Sequence, residues 1–235
     1  MGLFDLLAEI EKCGFDCDYR TRGPFIVRPD SENVRIVVIS ESPGEWRLPV
    51  DREGYVVPHG GFEIIRFIEG LFRGDDVTRY FDPKESQFRP SWKANAYWTH
   101  YQKCPIDKSK NQKITNSCER WLMREIEVIE PRLIVAVGNA AGDFLEKKYK
   151  LPKPEYVIVP QKKVGERRET LGLPPTKVNV DWCMEVAVVP HPSRRRRAWN
   201  YERFQQRFKR NLRPEITQRI KQILANSFVE GYELA

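Results

Sequence analysis

Four arginines stand in an unbroken run within Val188–Asn200, VVPHPSRRRRAWN, directly after an apolar stretch that ends in His191-Pro192-Ser193. Adjacent guanidiniums repel one another, so Arg194, Arg195, Arg196 and Arg197 ask for an anion. Trp199 lies just beyond them, and Trp46-Arg47 follows a turn earlier in the chain. Basic side chains interleaved with aromatic ones suit phosphate contact combined with base stacking. The plainer reading of such a run is a solvated charged face. Its place right after an apolar strand argues for the anion site.

The chain has three histidines, His59, His100 and His191. His59 is followed by Gly60-Gly61, and the other two end predicted strands. A neutral or charged imidazole at such an edge can donate to a developing anion, although a hydrogen-bonded structural histidine is the commoner case. Of the five cysteines, Cys13 and Cys17 form one close pair, CGFDC, and Cys104 and Cys118 flank a polar loop rich in Lys and Asn. Cys183 opens a predicted strand and reads as a core residue. Two pairs distant in sequence can make a four-thiolate metal site. Iron–sulfur clusters accept irregular spacing, zinc accepts the first pair but less readily the second, and unliganded buried thiols are the third possibility.

These groups sit on a chain of 235 residues, 40% hydrophobic and 11% aromatic, which is a globular composition with length enough for one domain over 1–235. The formal charge of +7 points to a polyanionic partner, nucleic acid first. The longest apolar runs, RIVVIS and LIVAVG, are too short to span a bilayer, so no membrane is expected. The start, MGLFDLLAEIEKC, is amphipathic without a basic n-region, and Leu6 breaks the myristoylation pattern. An intracellular protein with reduced cysteines is expected.

Apolar residues 3, 6, 7 and 10 make a helical stripe over Leu3–Cys13. Helices are also predicted over Gly61–Phe72, Asn116–Ile129, where Asn116 and Glu119 resemble a capping box, and Ala140–Tyr149. Ile36–Ile39, Asn95–Thr99, Leu133–Val137 and Met184–Val189 read as strands, and Val157–Pro160 as a further short one. Two helices, Asn200–Asn211 and Pro214–Phe228, form a C-terminal extension over 200–235 whose apolar stripe packs on the core or on a partner. Strands alternating with helices predict an α/β protein with a mostly parallel sheet, whose site lies at the C-terminal strand ends. Those ends are Ser40-Glu41-Ser42-Pro43-Gly44, Gly138-Asn139 and Pro190-His191-Pro192-Ser193.

In this order the residues resemble the uracil-DNA glycosylase superfamily, most closely its iron–sulfur branch, family 4. Ser40-Glu41-Ser42-Pro43-Gly44 resembles the family's Gly-Glu-Ala-Pro-Gly, and Tyr55–Gly61 resembles its Gly-rich segment. Thr99-His100-Tyr101-Gln102-Lys103-Cys104 stands where the family has a Thr-Asn and a Lys-Cys. Cys118 opens a helix ending in Glu130-Pro131, then LIVAVG follows, and His191-Pro192-Ser193 matches the last motif. The resemblance covers about residues 13 to 200. It implies a three-layer α/β/α fold with a central four-stranded, mostly parallel sheet. It implies a monofunctional DNA repair hydrolase that flips a deaminated base, uracil first, and cleaves its N-glycosidic bond; a monomer is expected. The same resemblance implies a [4Fe–4S] cluster on Cys13, Cys17, Cys104 and Cys118, with zinc as the alternative. His191 would stabilise the departing base, backbone around Glu41 and Ser42 would bind the base edge, and Ser42 would orient water. Gly44, Tyr55, His59 and His100 would line the base pocket. The loop carrying Ser193 and Arg194–Arg197 would grip phosphates, with an arginine or Trp199 filling the space the base leaves.

The sequence also departs from the family pattern. His100 replaces the asparagine that reads the base, and one neutral imidazole cannot donate to O4 and accept from N3–H together, as a primary amide does. The stacking Phe of the Gly-rich segment is missing, and Ser40 and Ser42 replace Gly and Ala. The first cysteine pair is Cys-x3-Cys, not Cys-x2-Cys. These departures open two alternatives: a glycosylase for another base such as hypoxanthine or xanthine, and a non-catalytic DNA-binding member of the same fold.

Overall fold

The computed structural model describes residues 1–13, 24–43, 61–74, 91–104, 116–149, 156–160, 183–189 and 213–230. In chain order these contain α1 (Leu3–Glu11), β1 (Ile36–Ser40), α2 (Gly61–Arg73), a short 3-10 turn (Ser91–Ala94), β2 (Ala96–His100), α3 (Asn116–Ile129), β3 (Leu133–Val137), α4 (Asn139–Tyr149), β4 (Tyr156–Pro160), β5 (Cys183–Val189) and α5 (Arg213–Glu230). The predicted helix over Asn200–Asn211 lies outside the described residues.

The strands form one sheet in the order β2-β1-β3-β5-β4. The β1, β2, β3 and β5 strands run parallel, which is the expected four-stranded parallel sheet. The fifth strand, β4, pairs antiparallel with β5 at the edge. A short return segment can pair that way without a crossover helix. Continuous β-branched runs form the central strands because both faces of the sheet are covered. On one face Val37, Ile39, Tyr97, Ile134, Ala136 and Val186 meet Leu3, Leu7 and Ile10 of α1 and Leu122 and Ile126 of α3. On the other, Ile36, Val38, Trp98, Val135 and Ala187 meet Ile68 and Leu71 of α2 and Ile216 and Ile220 of α5. The result is the three-layer α/β/α arrangement.

Helix α5 settles what the C-terminal stripe does. Ile216, Ile220 and Ile223 recur at i, i+4 and i+7 and are buried in the sheet's second face. Each contributes about 2–3 kcal/mol relative to exposure. The Thr217 hydroxyl donates to the Leu71 carbonyl at 2.8 Å, and Arg219 pairs with Glu185 of β5 at 2.6 Å.

The register places the parallel strand ends level. Ser40 lies opposite both His100 and Val137, and Val137 lies opposite Val189. From the adjacent pair β1 and β3, the chain order proceeds outward in opposite directions, to β2 on one side and β5 on the other. A crevice at the C-terminal ends of such a pair is where open α/β sheets bind ligands.

Candidate active site

The β1 strand ends at Ser40, and Glu41, half-buried Ser42 and buried Pro43 follow at the sheet's edge. The continuation of β2 is laced to this turn through the backbone. The Tyr101 N–H donates to the Ser40 carbonyl at 2.8 Å, and the Gln102 N–H to the Glu41 carbonyl at 2.9 Å. The Ser40 hydroxyl accepts from Trp98 Nε1 at 2.9 Å and donates to the Thr99 carbonyl at 3.4 Å. A serine at position 40 therefore ties β1 to β2 through its side chain, a role that glycine could not fill.

His100 ends β2 and is only 2% exposed. Its ring lies 5.0 Å from that of Trp98, tilted by 48°, and meets the Phe25 ring edge-on at 5.8 Å. The Phe25 N–H donates to the Lys103 carbonyl at 2.8 Å, which holds the 24–29 segment beside the end of β2. The imidazole is thus fixed by aromatic neighbours on the face of the sheet that α2 and α5 cover.

At the third strand end, Gly138 adopts φ 88, a left-handed conformation that suits glycine. Its N–H donates to the Val189 carbonyl at 2.8 Å, tying the end of β3 to the end of β5. Val189 is two residues before His191. Helix α4 starts at this turn and runs close to β5, since a Cβ on Gly142 would meet Val188 Cγ1 at 2.8 Å.

Three of the four candidate metal ligands are described. Cys13 follows α1, and its Sγ accepts from Trp121 Nε1 at 3.3 Å. Trp121 is three residues after Cys118 on α3. The Cys118 Sγ accepts from the Lys103 N–H at 3.4 Å, and Cys104 is the next residue. Cys104 and Cys118 are buried, Cys13 is half-buried, and none of the three is in a disulfide. Cys13 and Cys118 thus lie by the N-terminal half of α3, each with an N–H donor on its sulfur, and Cys104 follows Lys103 in the chain. Thiolates accept such donors, and in metal clusters these hydrogen bonds tune the sulfur ligands. Among the described residues, no three His, Cys, Asp or Glu side chains stand close enough to hold a metal by themselves. Cys17, the fourth candidate, lies outside the described residues.

Tyr101 and Glu119 brace the same region. The Tyr101 hydroxyl donates to Glu119 at 2.8 Å, Lys148 of α4 pairs with the same carboxylate at 2.5 Å, and the Tyr101 ring stacks at 4.7 Å on Phe144. Burial first, then the bond to Glu119, raises the Tyr101 phenol.

The structure therefore places Glu41, Ser42 and His100 at one edge; Cys13 and Cys118 lie by α3 and Cys104 follows Lys103, but the three do not form a group that could hold a metal among the described residues. Gly44, Tyr55, His59, Cys17, His191, Ser193, Arg194–Arg197 and Trp199 lie outside the described residues. Sequence reasoning missed Trp98 and Phe25 as neighbours of His100. Period-two alternation in AYWTH could have placed Trp98 on the face of His100, whereas Phe25 is 75 positions away and left no local signal. It also missed Glu125, a charge inside the apolar stripe of α3.

No helix among the described residues is long and apolar enough to cross a membrane. The chain matches the family model described as the uracil DNA glycosylase superfamily over residues 29–213, well over half its length. The match takes in Glu41, His100, Cys104, Cys118 and His191 and begins after Cys13 and Cys17. No curated protein matches it.

Proposed function

The chain belongs to the uracil DNA glycosylase superfamily, and on that premise we propose that it is a monofunctional DNA repair glycosylase that flips a deaminated base and hydrolyses its N-glycosidic bond. The observation that carries this reading is the level edge of the sheet. Glu41 and Ser42 follow β1 there, His100 ends β2, and β5 ends at Val189, two residues before His191 in the sequence. Two motifs far apart in sequence so meet at one edge, and the third follows β5 in the chain.

Bond cleavage leaves negative charge on the base and an oxocarbenium-like sugar, so the site must stabilise an anion at the base oxygen. His191 takes that role as a donor. Backbone N–H groups around Glu41 and Ser42 hold the base edge. The Ser42 hydroxyl orients the attacking water; it is too weak a base to deprotonate it, and a base already departing makes orientation sufficient. Gly44, Tyr55 and His59 complete the base pocket. Arg194–Arg197 neutralise phosphates around the flipped nucleotide, and an arginine or Trp199 fills the gap, offsetting an extrusion cost of a few kcal/mol.

Cys13, Cys17, Cys104 and Cys118 would hold a [4Fe–4S] cluster. The N–H groups of Trp121 and Lys103 that meet the Cys13 and Cys118 sulfurs are compatible with thiolate ligands. Such a cluster would supply a covalent cross-link between the chain after α1, the end of β2 and α3.

Uracil is the first substrate. A second reading, excision of hypoxanthine or xanthine, is favoured by one observation: His100 offers an imidazole held by Trp98 and Phe25 where a primary amide would read uracil. The test is a glycosylase assay on oligonucleotides carrying single uracil, hypoxanthine or xanthine sites. The expected result is abasic product from at least one base, abolished by His191→Ala with DNA affinity kept, and a shift toward uracil in His100→Asn. No product from any base, together with tight DNA binding, would move the protein to a non-catalytic DNA-binding role.

A further inference from the structure

The carboxylate of Glu125 lies where α3 crosses β2, and it is wholly buried. It accepts from the Tyr97 hydroxyl at 2.7 Å and from the Thr99 hydroxyl at 3.1 and 3.2 Å. It pairs with the Lys103 ammonium at 2.5 Å. The Lys103 Nζ also donates to Thr99 Oγ1 at 2.6 Å, and that lysine side chain is itself only 2% exposed. One carboxylate from a helix therefore holds three side chains of β2 and its continuation.

A buried ion pair is a poor way to add stability, because desolvation of both charges cancels most of the attraction. What it supplies, when every lone pair and proton has a partner, is direction: only one register of strand against helix satisfies it. The residues it fixes have informative neighbours. Thr99 immediately precedes His100, and Lys103 immediately precedes Cys104. The Lys103 N–H reaches Cys118 Sγ, while its carbonyl accepts from Phe25, the ring that edges His100. The Tyr101 and Gln102 N–H groups between them bond the Ser40 and Glu41 carbonyls. Glu125 also stands seven residues, about two turns, after Cys118 and so shares its face of α3.

We infer that Glu125 is a positioning residue: through Thr99 and Lys103 it sets the segment 99–104, and so places the base-contacting His100 and the thiol of Cys104 in one register against β1 and α3. The roles of His100 and Cys104 in this statement rest on the proposed function; the clamp itself does not.

The test is the size-matched, uncharged pair Glu125→Gln with Lys103→Met, alongside Thr99→Val, which removes the hydroxyl held by both charges and keeps the ion pair. Amide hydrogen exchange reports the segment directly. The Tyr101 and Gln102 amides should exchange at least tenfold faster in the double variant and several-fold faster in Thr99→Val, with the melting temperature little changed. On the excised base, kcat should fall about tenfold with KM for DNA held, because a shifted base reader weakens the transition state and leaves phosphate binding alone. A merely structural role would lower the melting temperature and leave exchange in 99–104 and kcat of the folded fraction as in the parent. That result overturns the inference. If the double variant does not fold, Thr99→Val decides by the same two readouts. If the parent excises no base, the glycosylase reading fails, and amide exchange alone upholds or overturns the clamp.

Discussion

Tyr97 shows what single residues contribute beneath the site. It is buried, and burial first, then the nearby Glu125 carboxylate, pushes its phenol well above its ordinary value near 10. The Tyr101 phenol is raised in the same direction by burial and by Glu119. A proton held more tightly in the folded state stabilises that state fully below the unfolded value of about 10. The contribution is lost as pH climbs from there toward the raised folded values. We expect an alkaline titration followed by phenolate absorbance to show Tyr97 and Tyr101 silent until circular dichroism reports unfolding, with stability declining above about pH 10. Ionisation of all nine tyrosines near that pH with the fold intact would contradict this. The burial that raises Tyr97 also lowers Lys103, a tendency that Glu125 opposes.

Among the elements, the C-terminal helix is the clearest case of packing that supports a distant edge. Helix α5 covers the sheet face that carries Trp98, the ring against which His100 rests. Ile220 is fully buried there. Ile220→Ala should cost about 2–5 kcal/mol, the transfer of the deleted methylenes plus the cavity. Urea denaturation with an unchanged slope checks this. A loss under about 1 kcal/mol would mean that the helix re-seats, or that it covers less of the core than the burial of Ile216, Ile220 and Ile223 indicates.

For the molecule as a whole, the relevant property is charge. A net +7 concentrated partly in Arg194–Arg197 should make DNA binding steeply salt-dependent through counterion release. The logarithm of the association constant should fall linearly with the logarithm of salt. Replacing the four arginines by alanine should flatten that slope by about 0.9 for each duplex phosphate that is no longer neutralised. Fluorescence anisotropy over a salt series measures both. An unchanged slope would assign the run to solvent and leave the phosphates to other basic residues.

Much of this fold is legible along the chain. Continuous β-branched runs such as Ile36–Ile39 and Leu133–Val137 declare strands covered on both faces, and the stripe of Leu3, Leu6, Leu7 and Ile10 declares a helix, because backbone period acts over a few residues. The order of motifs likewise carries the family, and with it Glu41, His100 and His191 as candidates. Tertiary structure alone decides the strand order, the antiparallel direction of β4, and the levelling of Ser40, His100, Val137 and Val189. It alone sets Phe25 against His100 and Glu125 against Lys103. Sequence period records which face a residue presents; it holds no record of which distant residue arrives there, because that is fixed by register and packing between segments tens of positions apart.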